Sequence, residues 1–155
     1  MQSFIKKLQS AFKETTFEVT EHHSNWSTIR IPSSSLQSVA KYVKETVGFD
    51  HAISVSVIDE FDNNQFLISY HLSSVFKSQL HGKILTLEVA IPRSEAKTPS
   101  LIEIWPSVEW HEREGWEMFG VEFDGHPKLE RLLLPESWEG GFPLRKDFRL
   151  REGSS

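Results

Sequence analysis

The side chains able to do chemistry gather in one stretch, Trp110 to Phe148, WHEREGWEMFGVEFDGHPKLERLLLPESWEGGFPLRKDF. Its opening, His111-Glu112-Arg113-Glu114-Gly115, invites a metalloprotease reading. The HExxH motif needs a second histidine where Gly115 stands, so that reading fails. Glu112 and Glu114 offer a carboxylate pair for acid–base work, but two residues apart on a helix they diverge by about 200° and cannot flank one bond. His111 or His126 beside a carboxylate would suit a small hydrolase, and that alternative stays open. Elsewhere the candidates are thinner. Adjacent strand residues point to opposite faces, so His22 and His23 do not converge on one ion and suit a loop or strand end. Asp59, Glu60 and Asp62 lack the glycine-bearing spacing of a calcium loop and read as a solvated hairpin end. His71 and His81 stand alone, and Ser33 to Ser35 have neither a nucleophile-elbow context nor a glycine-rich phosphate cradle.

Composition narrows the classes further. The chain has no cysteine, which removes disulfides, thiolate nucleophiles and Cys-ligated zinc or iron–sulfur clusters. Its 155 residues make one domain's worth of core, and a formal charge of -5 supplies no basic field for nucleic acid. The N-terminal MQSFIKKLQSAFKE lacks the apolar run and small-residue cleavage site of a signal peptide. No stretch has the apolar length of a membrane span, so any membrane link is expected to run through other proteins.

The elements that must position the stretch follow from periodicity. Phe4, Ile5, Leu8 and Phe12 mark one face of a short helix. Phe17 to Thr20 and Trp26 to Ile31 alternate as two strands joined across His22 to Asn25. A serine of Ser33 to Ser35 is expected to N-cap a second helix with Leu36, Val39, Ala40, Val43 and Val47 inward, stopped by Gly48. His51 to Phe61 and Gln65 to Leu72 form a hairpin over Asp62-Asn63-Asn64, and Ile84 to Ile91 adds a strand ended by Pro92. Arg93 to Ser100 reads as a polar linker. The expected fold is α+β: two helices packed on a mainly antiparallel or mixed sheet, then a third helix and an extended irregular C-terminal arm.

Pro106 opens the third helix and Gly120 closes it. Glu109, Arg113 and Glu117 at i, i+4 and i+8 predict a surface ion-pair ladder. Glu112 falls on the apolar face with Val108, Trp116 and Phe119, and there it needs an Arg or backbone amides as partners. Residues 120–155 hold five of the eight glycines and three of the seven prolines, yet also Leu132 to Leu134, Trp138, Phe142, Leu144 and Phe148. Such a segment is too irregular for long elements and too apolar for a disordered tail. It divides the chain into a 1–119 domain and a 120–155 docking arm. Arg131, Arg145, Lys146, Arg149 and Arg151 interleave with Glu130, Glu136, Glu139, Asp147 and Glu152, a pattern that favours paired charges at a protein interface over nucleic acid. Arg145 and Lys146 are expected to find carboxylates on another chain, with Trp138 and Phe148 as buried anchors and the part from Pro135 onward less ordered in isolation.

Glu112-Arg113-Glu114, Met118-Phe119-Gly120-Val121, Gly125-His126-Pro127, Leu129, Arg131 and Pro143-Leu144-Arg145-Lys146-Asp147 resemble the signature of the C-subunit family of respiratory complex I (NADH–quinone oxidoreductase) and its counterparts in energy-converting hydrogenases and dehydrogenases. The resemblance is most specific over Trp105 to Phe148 and extends loosely over nearly the whole chain. It implies a cofactor-free subunit of the peripheral arm that docks on the large quinone-site subunit and the iron–sulfur subunits. It implies a place at the cytoplasmic face of the membrane, held only through the complex. Glu112, Arg113, Glu114, Gly120, His126, Pro127, Arg131, Trp138, Arg145, Lys146, Asp147 and Phe148 are then docking or signature positions, with no catalytic, cofactor or metal residue among them. The chain departs from the family pattern at Glu117, usually Asp, at Glu130, often basic, and at Phe142, usually His. The last two bear on the arm's ion pairing and suit a branch away from the NADH-oxidising enzymes. The short chain fits a prokaryotic stand-alone subunit. A generic interaction adaptor is the other alternative.

The purified chain is expected to bind no metal, flavin or cluster. Stoichiometric iron or zinc that survives chelation, measured by elemental analysis, would overturn this.

Overall fold

Phe66, Ile68, Tyr70 and Leu72 occupy every second position of one strand, and all four are fully buried. Their register partners Ile91, Val89, Leu87 and Leu85 are buried too, so one face of the sheet is continuously apolar. The computed structural model describes residues 2–150; Arg151 and Glu152, counted above among the arm's charges, lie outside them. It contains helices α1 (Gln2–Ala11), α2 (Leu36–Tyr42) and α3 (Glu109–Phe119). Strands β1 (Glu18–His23), β2 (Trp26–Arg30), β3 (His51–Glu60), β4 (Gln65–Ser73) and β5 (Ile84–Pro92) form a mixed sheet in the order β1-β2-β5-β4-β3. Only the β2–β5 pairing is parallel in that sheet. The expected α+β architecture is the observed one.

Helices cover the apolar face. Ile5 and Leu8 of α1, with Leu36, Val39 and Ala40 of α2, join one core with Ile29, Leu87 and Tyr70. Helix α3 covers the β3–β4 part of the same face: the Tyr70 hydroxyl reaches its Glu112 and the Phe66 ring meets its Phe119 ring edge-on at 6.2 Å. The opposite face is tied by polar side chains in place of a helix. Trp26 Nε1 donates to Thr86 Oγ1 at 3.1 Å, and Arg30 and Ser69 both bond Glu88, at 2.7 and 3.0 Å.

Four local expectations need correcting. The β1–β2 turn is only Ser24-Asn25; His22 and His23 end β1, where His22 bonds Thr28 Oγ1 at 2.9 Å and stacks on Trp26. No serine side chain caps α2, because the hydroxyls of Ser33 and Ser35 pair with Thr98 and Thr15 instead. The helix instead continues as a π turn, Val43–Val47, and ends at Gly48 as expected. The polar linker hides a strand, β6 (Lys97–Pro99), paired in parallel with β7 (Glu122–Asp124). Finally, Asp59 is no solvated hairpin residue. It is 4 % exposed and bound by Arg93.

Two glycines set how closely the last elements approach. A Cβ at Gly115 would lie 3.0 Å from Val57 and 3.2 Å from the Phe123 ring, so its absence lets α3 sit tightly between β3 and β7. Gly120 ends α3 in the left-handed region at φ 73°, and a Cβ there would lie 2.5 Å from the Phe142 ring and 2.7 Å from Arg145 Nη2. Gly120→Ala is therefore expected to cost roughly 1–2 kcal/mol in backbone strain alone, plus displacement of the returning arm. Chemical denaturation reads this directly; a variant as stable as wild type would mean that the arm does not cross the helix end.

Candidate functional site: the α3–arm unit

Helix α3 buries three charged side chains, and each has a different task. Glu112 points at the sheet and is fully buried. Its carboxylate accepts Tyr70 OH at 2.9 Å, Ser100 Oγ at 2.5 Å and the Leu101 N–H at 2.9 Å. The expectation of amide partners holds, and two hydroxyls stand where an Arg was the other candidate. Burial pushes the Glu112 carboxyl above its ordinary value, against the lowering effect of its three donors. The same burial, with the neighbouring carboxylate, raises the Tyr70 phenol well above its usual range.

Arg113 and Glu117 do not form the expected surface ladder. They are 5 % and 3 % exposed, and neither touches the other's charge. Glu117 accepts three successive backbone amides of the arm, Leu132, Leu133 and Leu134, at 3.2, 2.9 and 2.9 Å. Arg113 donates to the carbonyls of Glu130 and Arg131 at 3.1 and 3.0 Å and lies under the Trp110 ring. A strip of five arm residues is thus bonded to a helix by side chains alone.

Further along, the arm holds itself. Arg131 donates to the carbonyls of Pro135, Glu136 and Trp138 at 2.7, 2.8 and 2.6 Å, curling the chain around its guanidinium. Trp138 Nε1 donates to the Gly141 carbonyl, and its ring packs on Phe148 with centroids 6.1 Å apart. These two rings are half-buried, against each other. The chain then returns to the body. Leu144 N–H meets the Met118 carbonyl at 3.2 Å, and Arg145 Nε donates to the Phe119 carbonyl at 2.5 Å, closing the C-terminal end of α3. The Arg145 guanidinium stacks on Phe66 and Phe142; burial, then the nearby Arg93, lowers its pKa.

The expectation that Arg145 finds a carboxylate on another chain is corrected here, whereas the exposed Lys146 side chain keeps that expectation. Arg145 uses a carbonyl and two rings of its own chain. Lys146 contributes its backbone N–H, which donates to Asp59 Oδ2 at 2.8 Å. Asp147 pairs with Arg93 Nη2 at 2.8 Å. The Asp59 hydrogen bond, then that to Asp147, raises the Arg93 pKa, and the Arg93 bond lowers that of Asp147. The departures from the family pattern are absorbed in the same way. Glu130 is read through its carbonyl while its carboxylate meets Lys128 at 3.6 Å, and the Phe142 ring takes a cation.

The remaining positions separate. His126 accepts the Lys128 N–H at Nδ1, so Nε2 carries the proton and donates to the Glu109 carbonyl at 3.2 Å. Both ring nitrogens are thus engaged by backbone groups. Pro127 follows His126 in an exposed turn, and Glu114 is exposed. His111 and Glu114 share a shallow groove with Val55, Val57 and Leu144. Among the described residues no three His, Asp or Glu side chains are placed to hold a metal ion. Tyr70, Ser100, Arg93 and Asp59 were missed as site members. Only Tyr70 carried a signal, as the one hydroxyl on an apolar strand face.

A model of the family described as respiratory-chain NADH dehydrogenase, 30 Kd subunit, matches residues 29–154. The chain belongs to that family. It is 34% identical over 151 residues to the C subunit of the NADH-quinone oxidoreductase of a Nocardioides species, covering 92% of this chain and 58% of that protein. It is 33% identical over 118 residues to the C subunit from Chloroherpeton thalassium, covering 75% and 47%. With the C/D subunit from Methylococcus capsulatus the identity is 29% over 160 residues, covering 97% and 26%. The chain thus spans between a quarter and somewhat over half of these relatives' lengths. Its fold superposes on a chain of the membrane-bound sulfane sulfur reductase, an archaeal respiratory membrane complex. The TM-score is 0.81 at 24% identity, over 96% of this chain and 85% of the other. It also matches the trypsin-resistant fragment of Nqo5, at TM-score 0.70 and 19% identity, over 83% and 98%.

Glu112 generates a prediction with a sign. Glu112→Ala orphans three donors at about 1–3 kcal/mol each, partly offset by removal of a desolvated charge, for a net loss of about 3–5 kcal/mol. Because the folded carboxyl is raised, wild-type stability relative to Glu112→Gln is greatest below the ordinary Glu range. It declines as pH rises from there through the raised folded value, then stays flat. Urea melts of both proteins across pH would show this; a difference rising with pH would reject it.

Proposed function

We propose that this chain is a cofactor-free assembly subunit of the peripheral arm of a complex I-like, ion-translocating NADH (or other donor)–quinone oxidoreductase. It docks on the large quinone-site subunit and the iron–sulfur subunits, and it reaches the cytoplasmic face of the membrane only through them. Family membership supports the class of complex. Among the described residues no helix is long and apolar enough to cross a membrane, which suits attachment through partners.

One observation carries the docking role. Arg113, Glu117, Arg131 and Arg145 are used inside the chain, on backbone amides and carbonyls, while apolar side chains of the same arm face out. Leu133 is 60 % exposed and Leu144 53 %, with Phe142 also open. A folded arm whose four internal charges are spent on backbone and whose leucines face outward is built to be covered by a partner, not to turn over a substrate. The generic adaptor would share this surface but not the iron–sulfur partners.

The test separates docking from folding. Leu133→Asp with Leu144→Asp touches only exposed positions, so the thermal midpoint of the isolated chain is expected to move by only about 2 °C or less. The same variant should fail to co-purify with the quinone-site and iron–sulfur subunits. Normal incorporation of the folded variant would reject the arm as the docking surface.

A further inference from the structure

A second exposed apolar feature lies at the other end of the sheet. Asp59 and Phe66 mark the arm's end of β3 and β4, and the β4–β5 connection leaves from Ser73, roughly 25 Å away along β4. That connection carries Val75 and Phe76. Phe76 is 88 % exposed, more than any other large apolar side chain among the described residues. The loop that holds it is rigidly tied. The Asp50 carboxylate accepts the N–H groups of Val75 and Phe76 at 2.8 and 3.1 Å and the Ser74 hydroxyl at 3.2 Å. Ser74 Oγ accepts the Lys77 N–H at 3.1 Å, and His81 Nε2 meets the Val75 carbonyl at 3.0 Å. Lys77 Nζ donates to the Val47 carbonyl at 2.6 Å, fastening the loop to the end of the second helix.

Beside this knob runs a groove of about 320 Å³ with Phe4, Tyr42 and Leu80 in its wall and Lys7, Lys77 and Lys83 around it. None of the three lysines has a carboxylate partner among the described residues, in a chain whose net charge is -5. The local charge is therefore opposite to that of the whole molecule. A loop fixed by six hydrogen bonds, with its apolar side chains left in water, has already met the ordering cost of binding. Lipid asks for no such fixed shape; a protein socket does.

We propose that this knob and groove form a second docking surface, which takes an acidic, apolar segment of another subunit of the same complex. An apolar side chain of that segment enters the groove, its carboxylates face Lys7 and Lys83, and Phe76 anchors the contact. The inference rests on the assembly role proposed above, with a different surface and a different test.

The experiment uses the full chain co-expressed with its complex and purified through a tag on this chain. Phe76→Ser changes an exposed side chain, and separately the pair Lys7→Glu with Lys83→Glu changes an exposed and a half-buried one. The expected result is an unchanged thermal midpoint for the isolated chain and, for each variant, a roughly tenfold or greater drop in the partner retained through a salt wash. In the wild-type complex, carbodiimide should join Lys7 or Lys83 to a carboxylate of another subunit. Retention equal to wild type in both variants overturns the inference, and leaves the assembly role standing if the Leu133 and Leu144 variant still fails to assemble. If the wild-type chain recovers no oxidoreductase subunit at all, the assembly role itself falls and this inference with it. Sedimentation of the isolated chain with anionic phospholipid vesicles, lost in Phe76→Ser, would give the surface to lipid and overturn the protein partner.

Discussion

Backbone that runs without helix or sheet must still have its N–H and C=O groups bonded, and residues 126–150 depend on how that is met. Ionised side chains meet it. Glu117 takes three consecutive amides, Arg113 two carbonyls and Arg131 three more. Bonds with one charged partner are stronger than neutral ones, so a few residues do what a ladder of backbone pairs does elsewhere. The one acid in this set faces amides and the two bases face carbonyls. The arm's path is written in the side chains of α3.

Helix α3 is therefore a two-sided part. On one side Glu112 joins the tip of Tyr70 to the segment at Ser100 and Leu101, fixing the helix against the sheet by polar contact inside an apolar core. On the other side, at the next residue and one turn beyond it, Arg113 and Glu117 hold the arm. Gly115 lies between these tasks and permits the close approach that both require. A shift of the helix toward or away from the sheet would move the arm with it, so the two surfaces are mechanically one.

What could be read beforehand follows from the physics of each signal. Alternation in β4 and β5 and three-to-four spacing in α1 and α2 reflect burial on one face, and burial is legible in a single sequence. Glu112 was legible for the same reason, as a charge where the spacing demanded an apolar residue. Strands β6 and β7 were not, because three residues each give no period to detect. Arg113 and Glu117 were misread because helical spacing puts them one turn apart, and pairing rules for exposed helices then join them. Nothing in residue identity says that a carboxylate will choose amides sixteen positions away. The partnership of Arg93 with Asp59 and Asp147 was hidden likewise, since its members are brought together only by the fold.

The dependence of the arm on α3 also orders events in time. Synthesis makes the helix before the arm, and the sheet that supports the helix is earlier still. The charged groups that bind the backbone of Glu130 to Leu134 all precede that segment in the chain, so its template is made before it. Its last turn, where Arg145 closes the helix end and Lys146 and Asp147 reach Asp59 and Arg93, joins the segment's far end to residues made long before. Completion of the arm is thus a late report that the body beneath it has folded, delivered at the surface proposed to meet the partner.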